Sequence, residues 1–121
     1  MMYWGDEMKA LLLAVLLLFM MPPEPPPLGV FECTAYCSCE KCCGEWADGI
    51  TYTGGLATEN RTIAVDPEVI PLGAVVEING QEYVAEDIGG AIKGNHIDIY
   101  MESHTEALEW GVQHHEVYPI K

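Results

Sequence analysis

From residue 30 to the C-terminus, apolar and polar positions follow one another in short runs with a period near two. VFECTAY at 30–36, TIAV at 62–65, AVVEI at 74–78, a returning segment at 82–86, HIDIY at 96–100 and EVYPI at 116–120 are rich in β-branched and aromatic residues. Such runs predict strands, because successive strand side chains point to opposite faces. Chain-reversal signals lie between them. Asp66-Pro67 stops one run, since proline cannot continue a hydrogen-bonded ladder, IPLG at 70–73 is a turn, and Asn79-Gly80 is a two-residue hairpin signal. TYTGG at 51–55 reads as a short extended piece ending in a turn. A helical pattern is found at 103–110. There Ser103 and Glu106 form an S-x-x-E capping box, Ala107, Leu108 and Trp110 supply an apolar face, and Gly111 is a natural stop. About six short strands with one or two short helices, and no internal repeat, predict a small, mainly β, closed barrel. Closure would remove the exposed edges of so small a sheet.

The N-terminal part is patterned differently. ALLLAVLLLFMM at 10–21 is an unbroken apolar run and predicts a hydrophobic helix. It is shorter than the roughly 20 residues that cross a membrane and suits a secretory signal or an anchor. Asp6 and Glu7 precede it with Lys9 as the single cation, and no small-x-small cleavage site follows. PPEPPP at 22–27 cannot extend a helix and favours a semi-rigid extended spacer. The expected organisation is a signal peptide or membrane anchor at 1–21, a proline-rich linker at 22–29 and one folded domain at 30–121, exported or held at the membrane by its N-terminal segment.

Charge narrows the partners. The 121 residues carry a formal net charge of −14, and residues 30–121 alone hold four Lys or Arg against sixteen Asp or Glu. Nucleic acid is excluded as a partner, because its phosphates demand a basic face. Docking on anionic lipid is excluded for the same reason, which leaves the N-terminal run as the route to a membrane. Most of the scattered glutamates are accounted for by solubility.

One stretch then stands out. AEDIGGAIKGNHIDIY at 85–100 begins and ends as strand around a glycine-rich connection. Asp98 sits inside alternating HIDIY, so Ile97 and Ile99 face a core while Asp98 and Tyr100 face away. Mid-strand aspartate is disfavoured and asks for a reason. Asp87 stands where a strand runs into Gly89 and Gly90, and Asp66 ends an earlier strand. Aspartates at strand ends also serve as turn formers, and that reading applies most to Asp66 and least to Asp98. Glycosidic cleavage needs one carboxylic acid to protonate the leaving oxygen and a base to activate a nucleophile. If these carboxylates converge they repel, and at least one pKa rises. His96 and Lys93 oppose that shift if they lie close. Gly89, Gly90 and Gly94 allow positive φ and close backbone approach, which serves a ligand or a tight crossover equally. Trp46 and Tyr52 are candidates for stacking on sugar rings, or for packing. No phosphate-binding or dinucleotide fingerprint is present.

All five cysteines fall between Cys33 and Cys43. Cys37, Cys39, Cys42 and Cys43 have thiolate spacing that could hold zinc, without the paired C-x-x-C arrangement of a zinc ribbon. Disulfides, a metal site and free thiols all remain open. If disulfides form, the odd count leaves one sulfur over. A cysteine nucleophile served by His104, His114 or His115 has no local support.

AYCSCEKCCGEWADG, TIAVDP, VIPLG and AEDIGGAIKGNHIDIY together resemble the 3D domain, named for three aspartates and found in bacterial cell-wall proteins. The last segment also resembles its counterpart in MltA-type membrane-bound lytic transglycosylases. The resemblance covers nearly all of 31–120. It implies a six-stranded double-psi β-barrel and a lytic transglycosylase, which cleaves the MurNAc–GlcNAc bond of peptidoglycan and leaves a 1,6-anhydro sugar without cofactor or metal. By motif, its three aspartates are Asp66, Asp87 and Asp98. The last matches the catalytic acid/base of the MltA type, with Asp87 and Asp66 shaping and charging the site. Substrate contacts are expected from Gly89, Gly90, Lys93, Tyr52 and His96. Peptidoglycan glycan strands are the implied partner, the cell wall the implied location, and a monomer the expected state. A carbohydrate-binding barrel without catalysis is the alternative. Two positions depart from the 3D pattern: Ile88 replaces a threonine, and His96 replaces an arginine, although histidine there resembles the MltA form. MltA enzymes also carry a second domain that helps form the groove, for which this chain has no room.

Overall fold

Gly29–Tyr36 forms β1, Thr62–Ala64 β2, Val75–Ile78 β3, Gln81–Asp87 β4, His96–Tyr100 β5 and Gln113–Ile120 β6. The computed structural model describes residues 5–20 and 23–120, with the Trp46 side chain outside the description. The six strands close into a barrel in the order β1-β5-β2-β4-β3-β6, and β6 returns to β1. Two neighbours run parallel, β1 with β5 and β2 with β4, and the other four pairings are antiparallel. The parallel pairs join segments far apart in sequence, so the site cannot be assembled from any one stretch.

Local chemistry explains the turns. Asn79 and Gly80 link β3 to β4 with φ of 51° and 82°, the paired positive values of the tight hairpin turn that matches strand twist. The β2–β4 register shifts between Ile63 and Ala64. The barrel interior holds Phe31, Ile63, Val65, Ile70, Val76, Ile78, Ile97, Ile99 and Val117, with Cys33, Tyr83 and Ala85. Burying one such aliphatic side chain contributes about 1.5–3 kcal/mol. Ile97 and Ile99 are 0% and 2% exposed, so the alternation in HIDIY places its isoleucines as expected.

Three expectations are corrected. The extended piece at 51–55 is a loop, closed by a single bridge between Ile50 and Leu56, because its one backbone bond to a strand, Thr53 N to Glu86 O, does not extend into a ladder. The last strand starts at Gln113 rather than at 116, since β1 pairs with it through Gln113. Helix α3 (His104–Trp110), with Ser103 as its N-cap, packs on β1 with Ala107 and Trp110, but Leu108 is 68% exposed. Trp110 Nε1 donates to Cys33 O at 2.9 Å. Ser103 Oγ accepts from Glu106 N at 3.3 Å. The Glu106 carboxyl faces Glu59, which raises its pKa.

Ahead of the barrel, α1 (Asp6–Met20) has 15 residues and buries none of them. At 1.5 Å per residue it is about 22 Å long, against a hydrocarbon thickness of ~30 Å. Among the described residues no helix is long and apolar enough to cross a membrane. The segment assigned as signal or anchor, 1–21, lies partly outside the described residues, as does Pro22 of the linker. Residues 23–27 carry no regular structure, and Leu28 N donates to Val117 O at 2.7 Å as the chain joins the barrel. A short helix α2 (Glu40–Cys43) and a 3₁₀ turn (Gly44–Trp46) follow β1.

Candidate active site

An open groove of roughly 620 Å³ lies beside the ends of β4 and β5, within the ~300–1,000 Å³ of typical ligand sites. Asp87, Asp98, Gly89, Gly90 and Tyr52 line it together with Tyr36, Ser38, Ala64, Ile88 and Tyr100. Five of the expected residues therefore share one cavity. Asp66, Lys93 and His96 do not line it.

Asp98 reaches the groove because the pleat of β5 turns Ile97 and Ile99 inward and Asp98 outward. Strand β1 runs parallel beside it, with Thr34 paired to Asp98. Thr34 Oγ1 donates to Asp98 Oδ1 at 2.9 Å and lies 2.9 Å from His96 Nε2. With the threonine proton on Asp98, His96 Nε2 is the donor to Thr34. His96 thus acts on the carboxylate through one hydroxyl instead of touching the groove. The Asp98 pKa is raised: burial dominates and nearby Asp87 adds to it, while the Thr34 bond and His96 pull the other way. A rise was expected from convergence of aspartates. Its main cause is desolvation, because a charged carboxylate on a half-buried strand loses water.

Asp87 has a second occupation. Tyr36 Oη donates to Asp87 Oδ2 at 2.8 Å and Tyr52 N donates to Asp87 Oδ1 at 2.9 Å. One carboxylate thus joins β4, β1 and the 49–56 loop. Burial and the neighbouring Asp87 raise the Tyr36 pKa and hold its phenol protonated. Tyr36 and Tyr100 meet edge to face with centroids 5.5 Å apart. Tyr52 is 65% exposed on the rim, the placement a sugar-stacking ring requires.

Asp66 is bound by backbone amides away from the groove lining. Its carboxylate accepts from Glu68 N at 3.0 Å and from Gly94 N at 2.9 Å. These backbone bonds, chiefly the one from Gly94, hold its pKa below the usual carboxylate range, and Lys93 adds to the effect. Lys93 thus acts on Asp66 and not on the groove. The bond from Glu68 N is the one expected of an aspartate that forms a turn before proline. Gly89 is needed for space, since a Cβ there would stand 2.9 Å from Ile92 Cγ1. Gly90 meets nothing within 4 Å and leaves room for a ligand.

Cys37, Cys39 and Cys42 gather around His104 Nδ1, with Cys42 lining the groove, while Cys43 turns its sulfur to Cys37 O. No disulfide joins any two of the five cysteines. Sequence reasoning missed Thr34, Tyr36 and the partnership of His104 with the cysteines. Thr34 and Tyr36 lie in a run legible as strand, but nothing local says which strand is its neighbour.

Residues 61–121 match the 3D domain family. The cell wall-binding protein YocH of Bacillus subtilis (strain 168) is 49% identical over 69 residues, 54% of this chain and 24% of its own length. YabE of the same organism is 44% identical over 80 residues, 64% of this chain and 19% of its own. The chain thus spans about a fifth to a third of the length of the curated relatives it matches. The crystal structure of E. coli MltA with bound chitohexaose matches with a TM-score of 0.52 at 26% identity, over 60% of this chain and 27% of MltA. MltA is a lytic transglycosylase.

Proposed function

The chain belongs to the 3D domain family, and on that footing we propose that it acts on peptidoglycan glycan strands as a lytic transglycosylase with Asp98 as acid and base. The observation that carries this reading is the position of Asp98. It is a carboxyl on a rigid strand, in a groove of ligand size, with burial keeping its pKa up and one oxygen held by Thr34. The likeness to MltA supports the same chemistry.

In this mechanism protonated Asp98 donates to the glycosidic oxygen as the C1–O4 bond between MurNAc and GlcNAc breaks. The carboxylate left behind removes the proton from the C6 hydroxyl of the same MurNAc. O6 then attacks C1 and closes the 1,6-anhydro ring, so Asp98 ends as it began, protonated. The internal nucleophile brings the advantage of proximity. Asp87, on the same groove, stabilises positive charge developing at C1. His96 and Thr34 position the Asp98 carboxyl, and exposed Tyr52 offers a face to a sugar ring. The barrel is read as the double-psi type, with residues 1–21 as export signal or anchor and 22–29 as a stalk toward the wall.

A second reading rests on YocH, which is named as cell wall-binding: a barrel that holds glycan without cleaving it. Incubating the chain with peptidoglycan, beside Asp98→Asn, and seeking 1,6-anhydro-muropeptides by mass spectrometry separates the two. Anhydro product from the wild type and none from Asp98→Asn is the expected result. Binding without product from either selects the second reading. Undiminished product from Asp98→Asn removes the acid/base assignment.

A further inference from the structure

Where β1 ends, the chain turns through 37–43 and three sulfurs converge on one imidazole nitrogen. Cys37 Sγ lies 2.9 Å from Cys39 Sγ and 3.2 Å from Cys42 Sγ. His104 Nδ1 lies 3.4 Å from Cys37 Sγ and 3.3 Å from both Cys39 Sγ and Cys42 Sγ. All four atoms fall within 4.8 Å of one another. We propose that Cys37, Cys39, Cys42 and His104 form a structural zinc site that ties the 37–43 turn to the start of α3.

Zinc binds thiolate sulfur at about 2.3 Å and imidazole nitrogen at about 2.0–2.1 Å in a tetrahedron, which sets S···N edges near 3.6 Å and S···S edges near 3.8 Å. The three S···N distances already approach that figure. The sulfurs sit closer than the metal would hold them and would spread by roughly 0.6–0.9 Å on binding, a shift that rotation about Cα–Cβ can supply. The turn is shaped for it. Cys42 N and Cys43 N both donate to Cys39 O, at 3.1 and 2.9 Å, which curls Cys39-x-x-Cys42 so that both sulfurs reach one side. Cys43 is excluded, because its sulfur donates to Cys37 O at 3.1 Å. Cys33 is excluded too, sealed in the barrel interior.

His104 discriminates zinc from a disulfide. A disulfide would join two of the sulfurs and leave the third, and the imidazole, without a purpose. A metal uses all four groups, including one delivered from more than sixty residues away in sequence. Three soft thiolates with one imidazole select zinc over magnesium or calcium, which take oxygen ligands. Four protein ligands leave no open position, so the site is structural. Its consequence is mechanical. Cys42 and Ser38 line the same groove as Asp98, and the metal would fix that part of the lining to α3. This inference is independent of glycan cleavage, since no ligand of the site lies among the carboxylates.

The test uses the full 121-residue chain in mild detergent, purified under reducing conditions with zinc and then freed of loose metal. Metal content is measured by mass spectrometry, and cobalt(II) is exchanged in. About one zinc per chain is expected, with cobalt giving tetrahedral visible bands and thiolate-to-metal charge transfer. His104→Ala and Cys39→Ser should fall to a small fraction of one zinc, and Cys43→Ser should keep its full share. Cys42→His retains four ligands, so it should hold cobalt with charge transfer reduced from three thiolates to two, which keeps the test decisive should the first two variants not fold. The proposal is overturned if the wild type retains no zinc, or if a disulfide forms in the zinc-supplied chain. Full metal content in His104→Ala and Cys39→Ser, or unchanged charge transfer in Cys42→His, would overturn it as well.

Discussion

One set of groove-lining residues, Asp98, Asp87 and Ala64, stands on strands whose neighbouring residues fill the barrel interior. A second set, Ser38, Cys42, Gly49, Ile50 and Tyr52, stands on a chain segment outside the barrel ladder, where Cys37 and Thr51 are buried among the described side chains. The first wall is held by packing and needs nothing further. The second is held by separate ties: Tyr52 N to Asp87, Thr53 N to Glu86 O at 3.2 Å, Ala57 N to Gly49 O at 2.8 Å, and the cysteine cluster with His104. Under the proposed mechanism a proton-transferring carboxyl must stay within tenths of an ångström of its target, and the packed wall gives Asp98 that rigidity. A wall proposed to grip a polymer would tolerate adjustment, and a few removable ties would suffice.

The comparison breaks most sharply at Asp98. Asp98→Asn should reduce anhydro-muropeptide release by at least about 100-fold, the lower end of what general acid–base catalysis supplies, while thermal melting shows the barrel intact. An unchanged rate would show that the packed wall does not carry the chemistry. Next in size, Ile97→Ala should cost about 2–5 kcal/mol in denaturant unfolding, the range for buried aliphatic truncation. Leu56→Ala, 70% exposed on the loop, should stay within about 0.5 kcal/mol. Equal losses at the two positions would mean the loop shares the core's packing after all.

Asp87 links the walls. Asp87→Ala removes the acceptor for both Tyr36 Oη and Tyr52 N, and bonds to a charged group are worth about 1.5–3 kcal/mol. Hydrogen exchange should quicken at the Tyr52 amide and leave the amides of β5 protected. Smaller still, Ser103→Ala removes an N-cap beside His104 and should cost about 1 kcal/mol, read as a lowered denaturation midpoint.

The gentlest probe is pH, because the two aspartates shift in opposite directions. Asp66 has a folded pKa below the ordinary value. Its contribution is present above the unfolded pKa of about 3.9 and is lost as pH falls through the folded one. Asp98 has a raised folded pKa, so its contribution is present below the unfolded pKa and is lost as pH rises through the folded one. At neutral pH, Asp66→Asn should therefore melt lower than wild type, and Asp98→Asn should not. Activity should decline on the alkaline side as Asp98 loses its proton. His96→Gln should move that limb upward, since His96 lowers the Asp98 pKa. A limb that stays put would show that Thr34 does not pass the influence of His96 onward.

Much of the barrel was legible. Ile97 and Ile99 declared an inward face, Asn79-Gly80 declared its hairpin, and Ser103 its cap, because each rests on period or backbone preference within a few residues. TYTGG misled, since β propensity without a pairing partner makes no strand. Leu108 misled because an apolar residue near a helix's inner face is not always on it. Asp66 matches the trio by motif, but the sequence did not show that its carboxylate is held by Gly94 N and Glu68 N, away from the groove lining.

Residue order alone therefore settled the six strands and the capped helix, the presence of a mid-strand carboxylate that needed explaining, and the acidic balance of the chain. These follow from short-range sterics, alternation and net charge. Folding settled which carboxylates share a groove, that Thr34 stands between His96 and Asp98, and that His104 completes the cysteine cluster. Those contacts join positions more than sixty residues apart. Parallel pairing of β1 with β5 and the docking of α3 create them, and no local pattern encodes which distant strands will become neighbours.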